Sequence, residues 1–266
     1  MAIPTPTDTS AALVTGASSG IGQALAVSLA QRGHNLVLVA RRRDRLDTLA
    51  TELRHRYGHR VEVLPADLAD SDSRRSLLAG LDALDMDIEV AAFSAGFGMG
   101  GPFADHDADR VVQMVRTNLE ATMVLTHSVL QGMLTRGRGA LLLVSSMAGN
   151  QPMPNFGAYA ATKAGVTSFA EMLSGEVSDQ GITVTALCPG GVRTEFSSVG
   201  GLEQAERSMP NALMIDADEC ARLGLAGLDA GKRTVTPRRA VRALTFFGTH
   251  APRALWLPIC RKMMST

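Results

Sequence analysis

Short apolar runs alternate along the chain with longer segments whose apolar residues recur at helical spacing. The runs are rich in Val, Leu, Ile and Ala, which predicts buried strands over 11–16, 35–40, 61–68, 88–96, 140–146 and 182–191. Helical spacing predicts helices over 20–33, 43–57, 70–84, 105–136 and 156–180. Asp216 and Glu219 have capping-box spacing before an apolar stretch, which predicts a last helix, and 233–237 is predicted as a short final strand.

Strands that alternate with long helices need crossover connections between parallel neighbours. The pattern therefore predicts an α/β fold: a Rossmann-like, doubly wound parallel sheet of about seven strands with helices on both faces. No linker, repeat or low-complexity tract interrupts it, so we expect one domain over residues 1–266. In such sheets ligands bind beyond the carboxyl ends of the strands, and the motifs described next fall there.

The turn "TGASSGIG" (15–22) joins the first strand to the first helix. Gly16 permits a tight turn, and Gly20 and Gly22 let a ligand approach the backbone and the helix N-terminus. Exposed amides and the helix dipole at that end favour a pyrophosphate. A plain structural turn is the alternative, but the preceding strand and following helix give the context that a dinucleotide site requires.

The second strand ends in "VARRR", where NAD-specific folds present an acidic side chain to the ribose. Arg41 and Arg42 stand there instead, and guanidinium groups pair with a 2′-phosphate, so we infer NADP(H). The alternative is that this basic run is the solvated start of a helix. Asp67, with Leu68 in "ADL" after the third strand, is predicted either to meet the adenine or to cap a helix.

Tyr159 and Lys163 lie four residues apart, which places them on one face of a predicted helix. A free phenol, with a pKa of about 10, ionises too little near neutrality to exchange protons readily. A nearby ammonium is expected to lower that pKa and make the phenol a usable acid or base. Taken alone, such a pair is usually a coincidence of the helix surface.

These motifs occur in order with Asn118 in "TNLEA", "SSMAG" at 145–149 and "PGGVRT" at 189–194. Over residues 10–195 the chain closely resembles the short-chain dehydrogenase/reductase family. The resemblance implies that Ser146, with Ser145 as the competing choice, binds a substrate carbonyl. It also implies that Tyr159 transfers the proton, Lys163 tunes Tyr159 and holds the nicotinamide ribose, and Asn118 supports a proton relay.

The resemblance also implies a set of cofactor-binding residues and no metal site. The set is Gly16, Ser18, Ser19, Gly20, Ile21, Gly22, Arg41, Arg42, Asp67, Leu68, Ala95, Gly96, Tyr159, Lys163, Pro189, Gly190, Val192 and Thr194. One departure stands out: the family commonly carries Asn-Asn-Ala-Gly after the fourth strand, and this chain has "FSAG". Phe93 and Ser94 replace two amides that fix neighbouring strands, which affects local rigidity more than chemistry.

Beyond the motifs, residues 195–215 are predicted as an irregular lid over the substrate. An apolar pocket is predicted from Phe97, Met99, Met153, Met209, Leu213 and Met214, with core packing as the alternative for each; it would suit a lipid-like or bulky ketone.

The variable tail 238–266 interleaves arginines with large apolar residues. Packing or a subunit contact is favoured there over peripheral membrane contact.

Composition narrows the function further. Lys plus Arg and Asp plus Glu number 26 each, which gives no electrostatic preference for nucleic acid. Three cysteines without metal-ligand spacing, no apolar run of about 18 residues and no signal-like N-terminus suit a cytoplasmic protein. We expect a reversible NADPH-dependent ketone reductase, a homodimer or homotetramer paired through helices near 105–136 and 156–180. The alternatives are a non-catalytic NADP(H) sensor and an epimerase or dehydratase.

Overall fold

The computed structural model describes residues 3–263 and contains nine strands in two parallel sheets. The strands are β1 (Ser10–Thr15), β2 (Asn35–Val39), β3 (Val61–Val63), β4 (Asp87–Phe93), β5 (Gly139–Val144), β6 (Ile182–Leu187), β7 (Gly191–Arg193), β8 (Met214–Asp216) and β9 (Thr234–Val235). Seven of them form the main sheet in the order β3-β2-β1-β4-β5-β6-β9, and β7 pairs with β8. The order and parallel direction confirm the predicted doubly wound sheet.

Eleven α-helices connect and flank the strands within the described residues. They are α1 (Gly20–Gln31), α2 (Arg43–Tyr57), α3 (Ser71–Asp82), α4 (Ala108–Val115), α5 (Ala121–Arg136), α6 (Gly157–Val177), α7 (Phe196–Gly200), α8 (Glu203–Ser208), α9 (Ala217–Asp229), α10 (Arg239–His250) and α11 (Arg253–Met263). Among these residues no helix has the combination of length and hydropathy needed to cross a bilayer.

The core consists of two apolar layers, one on each face of the main sheet. Successive strand residues point to opposite faces, so Val14 packs in one layer and Leu13 in the other. The first layer receives Leu25 from α1 and Leu225 from α9. The second receives side chains from α3, α5 and α6. Both faces are therefore covered, which is why the strands read as continuous apolar runs rather than as an alternating pattern.

Four predicted strands end earlier than their apolar runs. β3, β4, β5 and β6 stop at residues 63, 93, 144 and 187, and the remainder of each run forms a loop at the carboxyl edge. Those loops carry "ADL", "SAG", "SSMAG" and "PGG". Several loop residues next to the strand ends, such as Ala66, Ser145 and Cys188, are buried like strand residues, and the apolar or small character of these loops made them resemble strands in the sequence.

The predicted helix over 105–136 is interrupted. A short 3-10 turn at Phe103–Asp105 precedes α4, and a π turn at Arg116–Glu120 joins α4 to α5. The π turn inserts one extra residue per turn and so changes the direction in which its side chains point. Asn118 lies inside it.

Three predictions near the C-terminus are wrong. Asp216 does precede α9, but among the described residues its carboxylate accepts from Arg193 Nη1 at 3.2 Å rather than capping the first turn. α9 is also not the last helix, because α10 and α11 follow it. Residues 195–215 are not irregular; they form α7, α8, a 3-10 turn and β8. The predicted boundaries at 1 and 266 lie outside the described residues.

Candidate active site

A cavity of about 810 Å³ lies at the carboxyl edge of the main sheet. It is located where the connections from β1 and β4 leave for opposite faces, the place where doubly wound sheets bind ligands. Its walls are the loops after six strands, β1 to β6, with the lid helices and the C-terminal helices. The loop residues are Gly16, Ser18–Ile21, Ala40–Arg42, Ala66–Asp70, Ser94–Phe97, Val144–Ala148 and Pro189–Val192. All the predicted cofactor residues except Gly22 line the cavity.

Tyr159 and Lys163 lie on the buried face of α6, with 6% and 4% of their surfaces exposed. The Lys163 ammonium donates to the Val144 carbonyl at 2.8 Å and lies 5.8 Å from the centre of the Tyr159 ring. The ring is held between Phe156 and Phe196, whose centres are 4.5 and 5.4 Å away. The phenol is thus fixed in position at the cavity wall.

The structure distinguishes Ser146 from Ser145. The Ser146 hydroxyl is hydrogen-bonded to the Tyr159 phenol and accepts from Ala148 N at 3.1 Å. The Ser145 hydroxyl instead donates to the Lys163 carbonyl at 2.8 Å and contacts Thr167 Oγ1 at 2.7 Å. Consecutive residues of an extended segment point to opposite sides, so Ser146 faces the cavity and Ser145 fastens α6 to the loop after β5.

The prediction that Lys163 lowers the pKa of Tyr159 is wrong. Burial raises the pKa of the Tyr159 phenol above its ordinary value, and the hydrogen bond with Ser146 only partly opposes that rise. Burial also lowers the pKa of Lys163 to about 8. Loss of hydration is the largest cause of both pKa shifts, because both side chains are nearly enclosed.

Asn118 is fully buried in the π turn and clamps the loop after β4. Its amide donates to the Phe97 carbonyl at 2.9 Å and to Thr162 Oγ1 at 3.1 Å, and its Oδ1 accepts from Phe97 N at 3.0 Å. A Cβ on Gly96 would lie 2.9 Å from that Oδ1 and 3.3 Å from Lys163 Nζ. Only glycine therefore lets the loop pass this close to the α6 face.

The glycine-rich turn has the geometry of a phosphate cradle. Gly16 has a positive φ of 69°, and a Cβ on it would lie 2.9 Å from Ala95 N. A Cβ on Gly22 would lie 2.3 Å from the Gly16 carbonyl. Within residues 3–263 the Ser19 side chain does not cap the first turn of α1 and no acidic residue occupies that turn, so its amides and dipole suit an anion. The residues present fit a dinucleotide pyrophosphate.

The second strand delivers Arg42 to this cradle. Its guanidinium donates to Ser18 Oγ at 3.1 and 3.2 Å and to Glu195 Oε2 at 2.8 Å, and Arg45 donates to Glu195 Oε1 at 2.6 Å. Both arginines hold the pKa of the Glu195 carboxyl below its usual value. Arg41 also lines the cavity and is exposed. Sequence reasoning missed Glu195, since nothing local marks a partner 150 residues from Arg45.

The remaining predicted cofactor residues also line the cavity, and the structure bears on Asp67 and on the "FSAG" departure. The Asp67 carboxylate accepts from Ala69 N at 2.9 Å, whereas Asp70 caps α3; the helix-cap alternative for Asp67 is wrong. At "FSAG", Thr15 Oγ1 accepts from the amides of residues 94 and 95 at 3.1 and 3.2 Å. This threonine ties β1 to the loop after β4, so the substitution of the two amides leaves the junction fixed.

The apolar part of the cavity is larger than predicted. Five predicted residues line it, namely Phe97, Met153, Met209, Leu213 and Met214, whereas Met99 packs in the cluster around Tyr159. Sequence reasoning missed several further wall residues, which are Phe156, Phe196, Val199, Leu202, Leu244, Trp256 and Cys260. The last three come from the tail, so α10 and α11 complete the cavity. Trp256 and Cys260 are four residues apart, which places both on one face of a helix, and this spacing was the sequence pattern that could have revealed them.

A family model described as short chain dehydrogenase matches residues 10–203. The chain belongs to this family. Members of the short-chain dehydrogenase family are oxidoreductases that bind a nicotinamide cofactor and act on alcohols or ketones. The matched range includes every predicted catalytic residue and ends before α9 and the tail.

Solved and curated relatives extend the comparison. A short-chain dehydrogenase from Sphingobium yanoikuyae in complex with NADPH is 33% identical, with 90% of this chain and 92% of that chain covered and a TM-score of 0.82. The bulky-bulky ketone specific alcohol dehydrogenase from Comamonas testosteroni is 29% identical, with 97% and 94% covered and a TM-score of 0.77. A very-long-chain 3-oxoacyl-CoA reductase of Anas platyrhynchos is 35% identical over 191 residues, 71% of this chain and 61% of the relative. The chain spans less than two thirds of the length of such curated relatives.

The lowered pKa of Lys163 predicts a change of stability with pH. The value is about 8 in the folded protein and 10.5 for an unperturbed lysine. At pH values between these two pKa values, Lys163 is protonated in the unfolded chain but deprotonated in the folded protein. The free energy of unfolding therefore rises with pH in that window. We expect Lys163→Met to remove this rise, which is roughly 3 kcal/mol at most.

Urea unfolding of both proteins across this pH window measures the effect. Lys232→Met, which replaces an exposed lysine, is the control and should follow the wild-type protein. If the free energy of unfolding changes with pH in the same way for the wild-type protein and for Lys163→Met, the lowered pKa of Lys163 is contradicted.

Proposed function

We propose that this protein is an NADPH-dependent ketone reductase, reversible as an alcohol dehydrogenase. The observation that carries the proposal is the hydrogen-bonded pair of Ser146 and Tyr159, buried at the wall of the cavity that also holds the phosphate cradle. A bound reduced nicotinamide supplies the hydride. Tyr159 donates a proton to the carbonyl oxygen, and Ser146 orients and polarises the carbonyl.

The raised pKa of Tyr159 supports the reducing direction. Ketone reduction needs a protonated acid, and burial keeps the phenol protonated at neutral pH. Lys163, 5.8 Å from the ring centre, stabilises the charge that develops on the phenol as the proton leaves, and holds the cofactor ribose. Asn118 acts by holding the loop at Gly96 and Phe97 against α6, since its side chain bonds to the Phe97 amide and carbonyl and to Thr162 Oγ1. We therefore propose that Asn118 positions this loop, in addition to the proton-relay role that the family resemblance implies.

The cavity wall supports an apolar substrate. Aromatic, methionine and leucine side chains surround Tyr159 and continue into the lid and tail. We propose a lipophilic ketone, such as a 3-oxoacyl compound or a steroid, and we propose residues 195–215 as the lid over it. The names of the duck 3-oxoacyl-CoA reductase and the Comamonas bulky-ketone dehydrogenase agree with this class. A sensor that only binds NADP(H) would have no use for the Ser146–Tyr159 pair.

Tyr159→Phe tests the proton donor. The variant keeps the ring between Phe156 and Phe196 but removes the hydroxyl, so NADPH consumption should fall by about 100- to 10,000-fold. The assay uses apolar ketones that include steroids, long-chain 3-oxoacyl thioesters and aromatic ketones. Tyr57→Phe, which changes the other tyrosine of the chain on α2, should be fully active. Turnover that survives in Tyr159→Phe refutes the assignment, and tight NADPH binding without turnover of any ketone favours the sensor.

Arg42→Ala tests the choice of cofactor. A guanidinium at the Ser18 side of the cradle pairs with a 2′-phosphate, so its loss should weaken NADPH binding by about 10- to 100-fold and leave NADH nearly unchanged. Calorimetric titration of each cofactor gives both constants. Arg43→Ala is the matched control, because Arg43 is exposed and pairs with Asp47 away from the cavity. Equal losses for NADPH and NADH in Arg42→Ala would remove the argument for the phosphate.

The two tail helices, α10 and α11, bury one face against the rest of the protein and expose large apolar side chains on the other. Val241, Trp256 and Cys260 are buried on the inner side. The outer side exposes large apolar residues, which are Phe246, Phe247, Leu255, Leu257 and Ile259. Residues 238–266 contain six Lys or Arg and no Asp or Glu. Arg238 pairs with Glu219, whereas Arg239, Arg242 and Arg261 form no ion pair with any residue in 3–263.

We propose that this outer face contacts an anionic membrane surface. Apolar side chains among cations suit the interface of a bilayer that carries acidic lipids. Pairing of two identical tails would bring like charges together, so we assign self-association to exposed apolar residues on α4, α5 and α6 instead, such as Val112, Met123 and Met172. The three cysteines are buried free thiols, which supports a cytoplasmic location.

Sedimentation with vesicles tests the membrane contact. Wild-type protein should bind vesicles of phosphatidylcholine mixed with phosphatidylglycerol and bind pure phosphatidylcholine weakly. Phe246→Ser with Phe247→Ser should abolish the binding, whereas Phe103→Ser, at an equally exposed phenylalanine elsewhere, should not. Absence of vesicle binding, or a tail variant that changes the oligomeric state instead, would contradict the proposal.

A further inference from the structure

A carboxylate from the lid is paired with the arginines of the phosphate cradle and is not used by the proposed chemistry. Glu195 follows "PGGVRT" and directly precedes α7, 153 residues from Arg42. One of its carboxylate oxygens accepts from Arg42 Nη1 and the other accepts from Arg45 Nη1. Glu195 and Arg42 both line the cavity. A single anion of the protein thus bridges two guanidinium groups at the place where the cofactor phosphate is proposed to bind.

All three guanidinium nitrogens of Arg42 already donate hydrogen bonds. Nε and Nη2 donate to Ser18 Oγ, Nη2 also donates to the Ser18 carbonyl at 3.3 Å, and Nη1 donates to Glu195. A guanidinium binds phosphate through two adjacent N–H groups. A phosphate that binds Arg42 in this way must therefore replace bonds to Ser18 or the bond to Glu195.

Charge decides which of these partners leaves. The Ser18 hydroxyl is neutral, and it can turn to donate to a phosphate. The carboxylate of Glu195 would instead stand beside the phosphate as a like charge, which is unfavourable. Its side chain is 42% exposed, so it can turn into water. Glu195 is therefore the partner that an incoming phosphate displaces.

We propose that Glu195 is an internal competitor of the 2′-phosphate of NADP(H). It occupies Arg42 and Arg45 when no phosphate is bound, and it thereby limits how strongly the protein prefers NADPH over NADH. This inference rests on the proposed preference for NADPH, and it adds a residue of the lid to those that set cofactor specificity.

The exposure of the three side chains sets the strength of this competition. Arg42 and Arg45 are 38% and 45% exposed, similar to Glu195. Exposed ion pairs contribute little to binding or stability, because water and salt screen them. Two such pairs should therefore weaken NADPH binding by only about 3- to 10-fold. The competition tunes the affinity for the phosphate and does not prevent binding.

Glu195→Gln tests the competition, because it keeps the length of the side chain and removes its charge. In calorimetric titrations, the affinity for NADPH relative to NADH should rise about 3- to 10-fold. The ratio isolates the 2′-phosphate, since both cofactors carry the same pyrophosphate. Glu206→Gln is the matched control and should leave the ratio unchanged. Glu206 lines the same cavity from α8 and forms no ion pair within residues 3–263.

Removal of the arginines provides a second test. When Arg42 and Arg45 are both replaced by Ala, no guanidinium remains for the carboxylate and the phosphate to share. Glu195→Gln should then have little effect on the ratio of the two affinities. A rise as large as that in the wild-type background would mean that Glu195 acts by general repulsion, and it would overturn the competition for the arginines.

Two cofactor fragments separate this inference from the proposed function. 2′,5′-ADP and 5′-AMP differ only by the 2′-phosphate, and their titration requires no turnover. If neither the wild-type protein nor Glu195→Gln prefers 2′,5′-ADP, the proposed choice of NADPH fails and the inference fails with it. If the wild-type protein prefers 2′,5′-ADP and Glu195→Gln does not increase that preference, the inference alone is overturned. Equal losses of NADPH and NADH affinity in Glu195→Gln would also overturn it, since Glu195 would then hold the bound dinucleotide in place.

Discussion

The contact between the loop after β5 and α6 is the constraint on which the rest of the site depends. Lys163 Nζ bonds to the Val144 carbonyl, while the Ser145 hydroxyl bonds to the Lys163 carbonyl in the opposite direction. A Cβ on Gly149 would lie 2.6 Å from the Lys163 carbonyl carbon, so helix and loop touch through backbone. These contacts fix the register of α6 against the sheet. They place the Tyr159 phenol on the Ser146 hydroxyl.

Other parts of the molecule are arranged around that contact. Asn118 in the π turn holds the loop at Gly96 and Phe97 against the same helix face. Thr15 ties that loop to β1 and hence to the phosphate cradle. The tail helices close the other side through Asn150 and Pro152. Proton donor, cofactor cradle and substrate wall thus share one rigid frame, as precise positioning in catalysis requires.

The main sheet was predictable because most of its strands are mainly apolar runs and the helices between them carry apolar residues at helical spacing. The site was predictable where residues close in sequence carry the chemistry, as in "TGASSGIG" and Tyr159 with Lys163. Long-range effects could not be predicted. Glu195 meets Arg42 and Arg45 only in the folded chain, Asp216 turns to Arg193 instead of capping α9, and α11 contributes Trp256 to a cavity whose motifs lie far upstream. The direction of the Tyr159 pKa depends on burial, which spacing alone does not reveal.

The central claim is that burial keeps Tyr159 protonated, so that it serves as the acid in ketone reduction. The chain has two tyrosines, so Tyr57→Phe leaves Tyr159 as the only phenol. Titration of its ultraviolet absorption measures the ionisation of this group directly. The account predicts no tyrosinate until the pH is above the ordinary phenol pKa of about 10. Formation of tyrosinate near neutral pH would contradict it and would mean that Lys163 controls the phenol after all.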